Sequence, residues 1–304
     1  MAVDRVQAAH YRSRANNEYL KLKHSEFQGW FVEIMRRRYP TTFITVRLAQ
    51  GDKQLDAYRL DNTVFAVYAP RDTRHTIATT IAKITSDFDG AIKTLQEEGL
   101  ELEKWVFVSN DPTGIPADIT THIAKINETN ETITVEYWDF EAIWNEIAQL
   151  DILHLEELFG PAPTEKHVDS LQFETIKPVI EFVRRESVPP DPPIDAPNVR
   201  KLEFNDLSDT TADALRFGRR KESLVGQYFR LHHDPTLGEG IAQAFREKYG
   251  VLREAKLKAD TIFCELWAFV GGGGFTSPEQ MAAVFAVLSY FFERCDIFEN
   301  PVEP

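Results

Sequence analysis

The apolar positions of this chain follow two regimes. Between 17 and 149 helical and strand periods alternate, whereas beyond Leu207 every periodic segment is helical. From Asn17 to Arg38, the residues Phe27, Trp30, Phe31, Ile34 and Met35 recur at i, i+3, i+4, i+7 and i+8, which predicts an amphipathic helix halted by Pro40. Three runs rich in β-branched and aromatic residues come next: "FITVRL" (43–48), "LDAYRL" (55–60) and "TVFAVYA" (63–69), the last two joined by a tight turn at Asp61-Asn62. Ile77, Ile81, Ile84, Phe88, Ile92 and Leu95 mark a helix over 74–98, with Gly99 placed to end it. "KWVFVSN" (104–110) is the continuous apolar run of a strand buried on both faces, and "DPTGIP" turns the chain. A helix at 116–126, the strand "TITVEYW" and a helix at 139–149 complete the order α-β-β-β-α-β-α-β-α. A helix, an antiparallel meander and then parallel crossovers predict a mixed sheet with helices on both sides.

Proline then interrupts the pattern. "FGPAPTEKH" (159–167) and "SVPPDPPIDAPNV" (187–199) flank one helical segment near 171–186, and so much proline opposes both helix and central strand. The stretch 160–199 is therefore expected to be a partly extended spacer, stiffened toward polyproline II. After it come helices begun by Ser208 as N-cap, marked by Leu224, Val225, Tyr228 and Phe229, and continued over about 238–255, 259–270 and from Pro278 onward. The expected class is α/β plus all-α: an α/β domain at 1–159, a proline-rich linker at 160–199 and a helical bundle at 200–304.

Bulk numbers narrow the functions. At 304 residues and 43% hydrophobic, the chain can bury a sizeable core, and its formal charge of −14 repels a phosphate backbone overall. DNA contact would have to come from the local runs "RRR" (36–38), "RR" (184–185) or "RFGRRK" (216–221), each of which solvated helix faces also explain. Cys264 and Cys295 sit in apolar helical patterns without metal-ligand spacing, and read as reduced core thiols. The start, "MAVDRVQAAHYRSRANNEY", is polar and mixed in charge, and no run of about 18 apolar residues occurs. A cytoplasmic protein is expected.

The candidate chemistry lies in "GDKQLDAYRLDNTVFAVYAP" (51–70). Its layout resembles the PD-(D/E)XK restriction-type nucleases, and "GDKQLD" the turn of their Mrr-like members. In that fold an Asp and an acid or amide on the next strand hold Mg²⁺, while a Lys two residues on orients water; alternate strand residues share a face, which explains the spacing. The resemblance puts Asp56 at the metal position, Ala66 where the acid or amide belongs, Tyr68 at the Lys position and Gln28 where the preceding helix has Glu. Ala66 has no ligand atom and a neutral tyrosine cannot replace an ammonium. The residues thus imply an eroded, non-hydrolytic site with no cofactor, and Mg²⁺ only if displaced groups rebuild it. Asp52 and Asp56 also read simply as turn and hairpin-end groups.

A second resemblance covers more of the chain. "FQGWFVEIMRRRYP", "WVFVSNDPTGIP" and "LEELFGPAP", with "NDLSDTTADALRFGRRKESLVGQYF", "DPTLGEGIAQAFREKYGVL" and "LSYFFERCDIFENP", are similar to proteins of ABC-three-component systems, bacterial conflict systems built around an ABC ATPase. This implies an anti-phage or anti-plasmid component whose residues 200–304 dock on the ATPase partner. Other signals are weaker. "HHDPTLGEG" (232–240) offers imidazoles and a carboxylate, but adjacent helical histidines diverge; "GGGGFTS" (271–277) lacks the lysine of a phosphate loop. Asp52 and Asn110, the latter at the end of a buried strand where open sheets bind ligands, are candidate ligand contacts that turn formation also accounts for.

Overall fold

The computed structural model describes residues 3–45, 56–69, 76–112, 114–184, 201–271, 273–294 and 296–299. The chain divides into two compact units, Glu18–Leu150 on one hand and Met1–Asn17 with Asp151–Pro304 on the other. The division falls within the first helix, α1 (Arg5–Lys21).

The unit Glu18–Leu150 is a mixed α/β layer. After α2 (His24–Arg38) come β1 (Phe43–Ile44), β2 (Ala57–Arg59), β3 (Thr63–Tyr68), α3 (Ile77–Glu98), β4 (Lys104–Ser109), α4 (Ala117–Thr129), β5 (Thr134–Trp138) and α5 (Phe140–Ile147). Among the described residues the sheet runs β1-β2-β3-β4-β5; β1 to β3 pair antiparallel and β3 to β5 parallel. Strand alternation sends Phe65 to one face and Val64, Ala66 and Tyr68 to the other. On the first face Phe31 of α2 packs on Phe43, Phe65 and Trp138 with ring centroids 5.6 to 6.5 Å apart. On the second, Val64 and Ala66 join Ile84, Phe88 and Ala91 of α3, Trp105 and Phe107 of β4, and Ile119 of α4. Burying each such aromatic is worth about 1.5–3 kcal/mol.

Local signals behave as their chemistry dictates. Asn62 takes the left-handed conformation of the hairpin turn (φ 61°), and Gly99 closes α3 in the same region (φ 70°). The edge strand β5 is blunted from within: the Asn127 side chain donates to Val135 O (3.0 Å) and accepts from Val135 N–H (2.7 Å), standing in for a further strand. Asn127→Ala is expected to cost about 1–2 kcal/mol in urea titration, since two hydrogen bonds are lost from a half-buried edge. Asn127→Asp should retain the acceptor half of that pairing and lose less.

The helix expected over 17–38 is two helices. Asn110 Nδ2 donates to the carbonyls of Tyr19 (3.1 Å) and Leu22 (2.8 Å), closing α1, and His24 restarts the chain with φ 48°. The carbonyls that a continuing turn would have used are taken by this amide.

The second unit is helical throughout its described residues: α6 (Ile152–Phe159), α7 (Glu165–Asp169), α8 (Phe173–Arg184), α9 (Lys201–Phe204), α10 (Asp209–Arg219), α11 (Glu222–Leu231), α12 (Leu237–Glu254), α13 (Ala259–Phe269) and α14 (Pro278–Glu293). Helix α14 buries every residue from Met281 to Ser289, as a helix apolar on all sides must. Ser208 caps α10 by accepting from Thr211 N–H, and Pro278 opens α14 at a position whose N–H would go unused. Lys201, 1% exposed, donates to Phe292 O (2.6 Å) and Ile297 O (2.8 Å) and lies 4.4 Å from the centroid of the Phe292 ring, fastening the segment after α14.

Two expectations about organisation change. The helix expected near 171–186 within the spacer is α8, preceded by α7, but both are packed: Val168, Leu171, Ile176, Val179, Ile180 and Val183 are core residues of the helical unit. Residues 185–200, including most of its prolines, lie outside the described residues. The boundaries at 159 and 200 are thus not those of the compact units, because the apolar stripe of α8 is satisfied by α14 and its neighbours despite Pro178. The polar N-terminal stretch, for which the apolar pattern predicts nothing, is α1, with His10, Arg12, Ser13, Asn16 and Asn17 all buried. Arg12 pairs with Asp260 at 2.9 Å, and the Cys264 thiol donates to Ser13 O. Burial, then the nearby Arg14 charge, lowers the His10 pKa to about 3, so it sits neutral against the rings of Tyr11 and Trp267. Cys264 is buried, and Cys295 lies outside the described residues.

Candidate functional site

Asp56 precedes β2 and is clasped by β3. Its N–H donates to Phe65 O (3.1 Å), and its Oδ2 accepts from Val67 N–H at 2.5 Å. Its Oδ1 accepts from the Gln28 side-chain amide, which α2 brings to the same carboxylate. The structure brings Gln28 and Asp56, two of the residues that the resemblance singles out, into direct contact. Both carboxylate oxygens receive a donor from the described residues. A glutamate in place of Gln28 would set two carboxylates together and call for a cation.

The β2–β3 register, Ala57 against Phe65, sets Asp56 beside the Ala66 stretch of β3. Ala66 is 2% exposed and part of the core under α3. Tyr68 is half-buried on the same strand face, its ring 5.7 Å from that of Phe107. Burial, and then the charge of Asp87, raises the Tyr68 pKa, so this phenol is neutral at physiological pH. The described side-chain oxygens at Asp56 thus come from one carboxylate and one amide. Among the described residues, no group of three or more His, Cys, Asp or Glu is arranged to hold a metal ion. Asp52 lies outside the described residues.

The sequence reading missed a second polar group on this side of the sheet. Asp87 of α3 is 4% exposed and pairs with Lys83, one helical turn earlier, at 2.7 Å. Burial raises its carboxyl pKa, and Lys83 opposes that rise. The signal was present in the periodicity: Asp87 sits between Ile84, Phe88 and Ala91 on the buried stripe of α3, where a carboxylate is costly unless paired.

The remaining candidates have structural partners. Asn110 is 2% exposed and spends its amide hydrogens on α1, while Tyr19 OH donates to Ser109 O (2.8 Å) beside it. Asn110 Oδ1 is buried without a hydrogen-bond partner among the described residues. In the 232–240 stretch, the rings of His232 and His233 stack 4.2 Å apart, and Asp234 Oδ1 accepts from Thr236 N–H and Oγ1–H, a turn closed on itself. Of the basic runs, 216–221 is spent internally: Arg216 on Asp213, Arg219 on Glu293, Arg220 on Glu165 and Asp169, and Lys221 on Asp169 O. In 36–38, Arg37 pairs with Glu33 and Arg38 with Glu146, whereas the hydrogen bond of Arg36 goes to the neutral Thr45 hydroxyl. No described helix is long and apolar enough to cross a membrane.

Comparison with known proteins bears on the helical unit. Residues 174–299 match the family model of C-terminal domain 10 of the ABC-three component (ABC-3C) systems, a span that opens within α8 and closes just after α14. This supports a place for the chain in such a conflict system and an interaction with other components of it. No curated protein and no solved structure matches the chain.

Proposed function

We propose that this chain is a non-catalytic sensor or adaptor of an ABC-three-component defence system. Its helical part, residues 200–304 with α8, docks on an ABC ATPase, and its sheet unit is a restriction-endonuclease-like domain that recognises nucleic acid or another sign of an invader. The observation that carries the reading is the Gln28–Asp56 pair: an amide stands where a second acid would make a metal site, and Ala66 and Tyr68 supply neither ligand nor cation. The element order, a helix followed by an antiparallel meander and parallel crossovers, supports the domain assignment, and the family match supports the partner. The test has two arms. Purified chain incubated with DNA and Mg²⁺ or Mn²⁺ is expected to leave it intact, and co-expression with an ABC ATPase encoded beside it is expected to give a complex that survives purification; absence of such a gene would count against the adaptor reading. Cleavage lost in Asp56→Ala would overturn the non-catalytic reading.

A second reading, a Mg²⁺-dependent nuclease with displaced groups, draws on one observation. Lys83 and Asp87 form an ion pair whose charge reaches Tyr68, on the face where the strand lysine is missing. That reading requires cleavage abolished by Lys83→Ala and by Asp87→Asn as well as by Asp56→Ala.

A further inference from the structure

The outward stripe of α2 gathers an exposed glycine, an exposed arginine and an ion pair around one hollow. Gly29, Val32, Glu33, Arg36 and Arg37, at i, i+3, i+4, i+7 and i+8, line a hollow of about 370 Å³ on this helix. Gly29 is exposed in mid-helix, and a Cβ built there would meet nothing within 4 Å. Glycine weakens a helix interior relative to alanine, and neither steric room nor backbone conformation requires it here. Arg36 is exposed with its guanidinium on a neutral hydroxyl, and Glu33 holds Arg37 at 2.8 Å, fixing one fork of donors beside the hollow. The "RFGRRK" run, the other large cluster of cations, is consumed by acids of its own unit.

We infer that this stripe is a binding site for the phosphodiester backbone of nucleic acid. The missing side chain at Gly29 lets a strand approach the helix, Val32 offers it an apolar floor, and Arg36 and Arg37 meet the phosphate. Guanidinium forks match phosphate oxygens two at a time, which suits a backbone contact without base readout. The acidic bulk of the chain limits such binding to this local stripe and makes it weak and strongly salt-dependent. The inference rests on the nucleic-acid arm of the proposed function and gives that arm a surface.

Fluorescence anisotropy of the full chain with labelled single-stranded DNA, duplex DNA and RNA of about 20 nucleotides, from about 50 to 200 mM salt, tests it. Arg36→Ala should weaken binding about 5–10-fold at the lower salt and lessen the slope of log affinity against log salt by about one. Glu33→Gln should strengthen binding, because it removes the acidic group among the described lining residues. Gly29→Ala separates function from fold: it should raise Tm by about 2–4 °C while weakening binding several-fold. The three probes show which strand form supplies the phosphates. Binding by the parent chain that Arg36→Ala and Gly29→Ala both leave intact would overturn this site and spare the adaptor reading. Absence of salt-dependent binding to any probe would overturn the site together with the nucleic-acid arm, and co-purification with the ATPase would still judge the rest.

Discussion

Gly218→Ala is expected to destabilise the helical unit by about 3 kcal/mol and to lower its Tm by about 6–12 °C. Helices α10 and α14 cross at this residue, where a Cβ would lie 2.1 Å from Phe285 O, 2.5 Å from Phe285 C and 2.2 Å from Ser289 Oγ. Two of these atoms are backbone and cannot turn aside, so the helices themselves must separate. Ser289 also donates to Leu215 O at 2.8 Å, and widening the crossing strains that bond as well. Shortening Ser289 in the same chain should therefore rescue little. Gly250→Ala is the control: its Cβ would meet nothing within 4 Å, so the same substitution there is expected to be neutral or slightly stabilising. A Gly218→Ala protein that melts with the parent would show that the two helices do not approach this closely.

Gln28→Glu is expected to cost the sheet unit about 2 kcal/mol at pH 7, by placing a second negative charge on the Asp56 carboxylate. The sign with pH follows from the repulsion. One carboxyl of the new pair has its pKa raised, so the lost stability returns as pH falls through that raised value and one proton is shared. Millimolar Mn²⁺ should restore it at pH 7, because a divalent ion relieves the repulsion that the amide now avoids, and should leave the parent unaffected. Thermal melts of both proteins with and without Mn²⁺, at pH 5 and 7, check this. A parent chain stabilised by Mn²⁺ and destabilised by Asp56→Ala only in its presence would show a metal bound at Asp56, contrary to this expectation.

Part of the site was legible because it rests on strand alternation. The shared face of Ala66 and Tyr68 follows from that alternation, whereas Gln28 reaches Asp56 from α2 and its place was implied only by the resemblance. Asp87 and Lys83 went unread since a Lys–Asp pair one turn apart looks like an ordinary solvated pair until α3 is laid on the sheet. The basic runs show the converse: "RRR" and "RFGRRK" look alike as text, and only the folded chain shows that Arg37, Arg38, Arg216, Arg219 and Arg220 meet acids while Arg36 meets the Thr45 hydroxyl.

By itself the amino-acid order determined what short-range physics controls: the 3.6- and 2-residue periods, the caps at Ser208 and Gly99, the turn at Asn62 and the shared strand face of Ala66 and Tyr68. Tertiary structure decided what depends on a distant partner. It buried the polar helix α1, whose Arg12 is matched by Asp260 nearly the whole chain away, and drew α8 from an expected spacer into the helical core. A polar group's cost of burial is set by what meets it, and that neighbour is fixed only when the chain has folded.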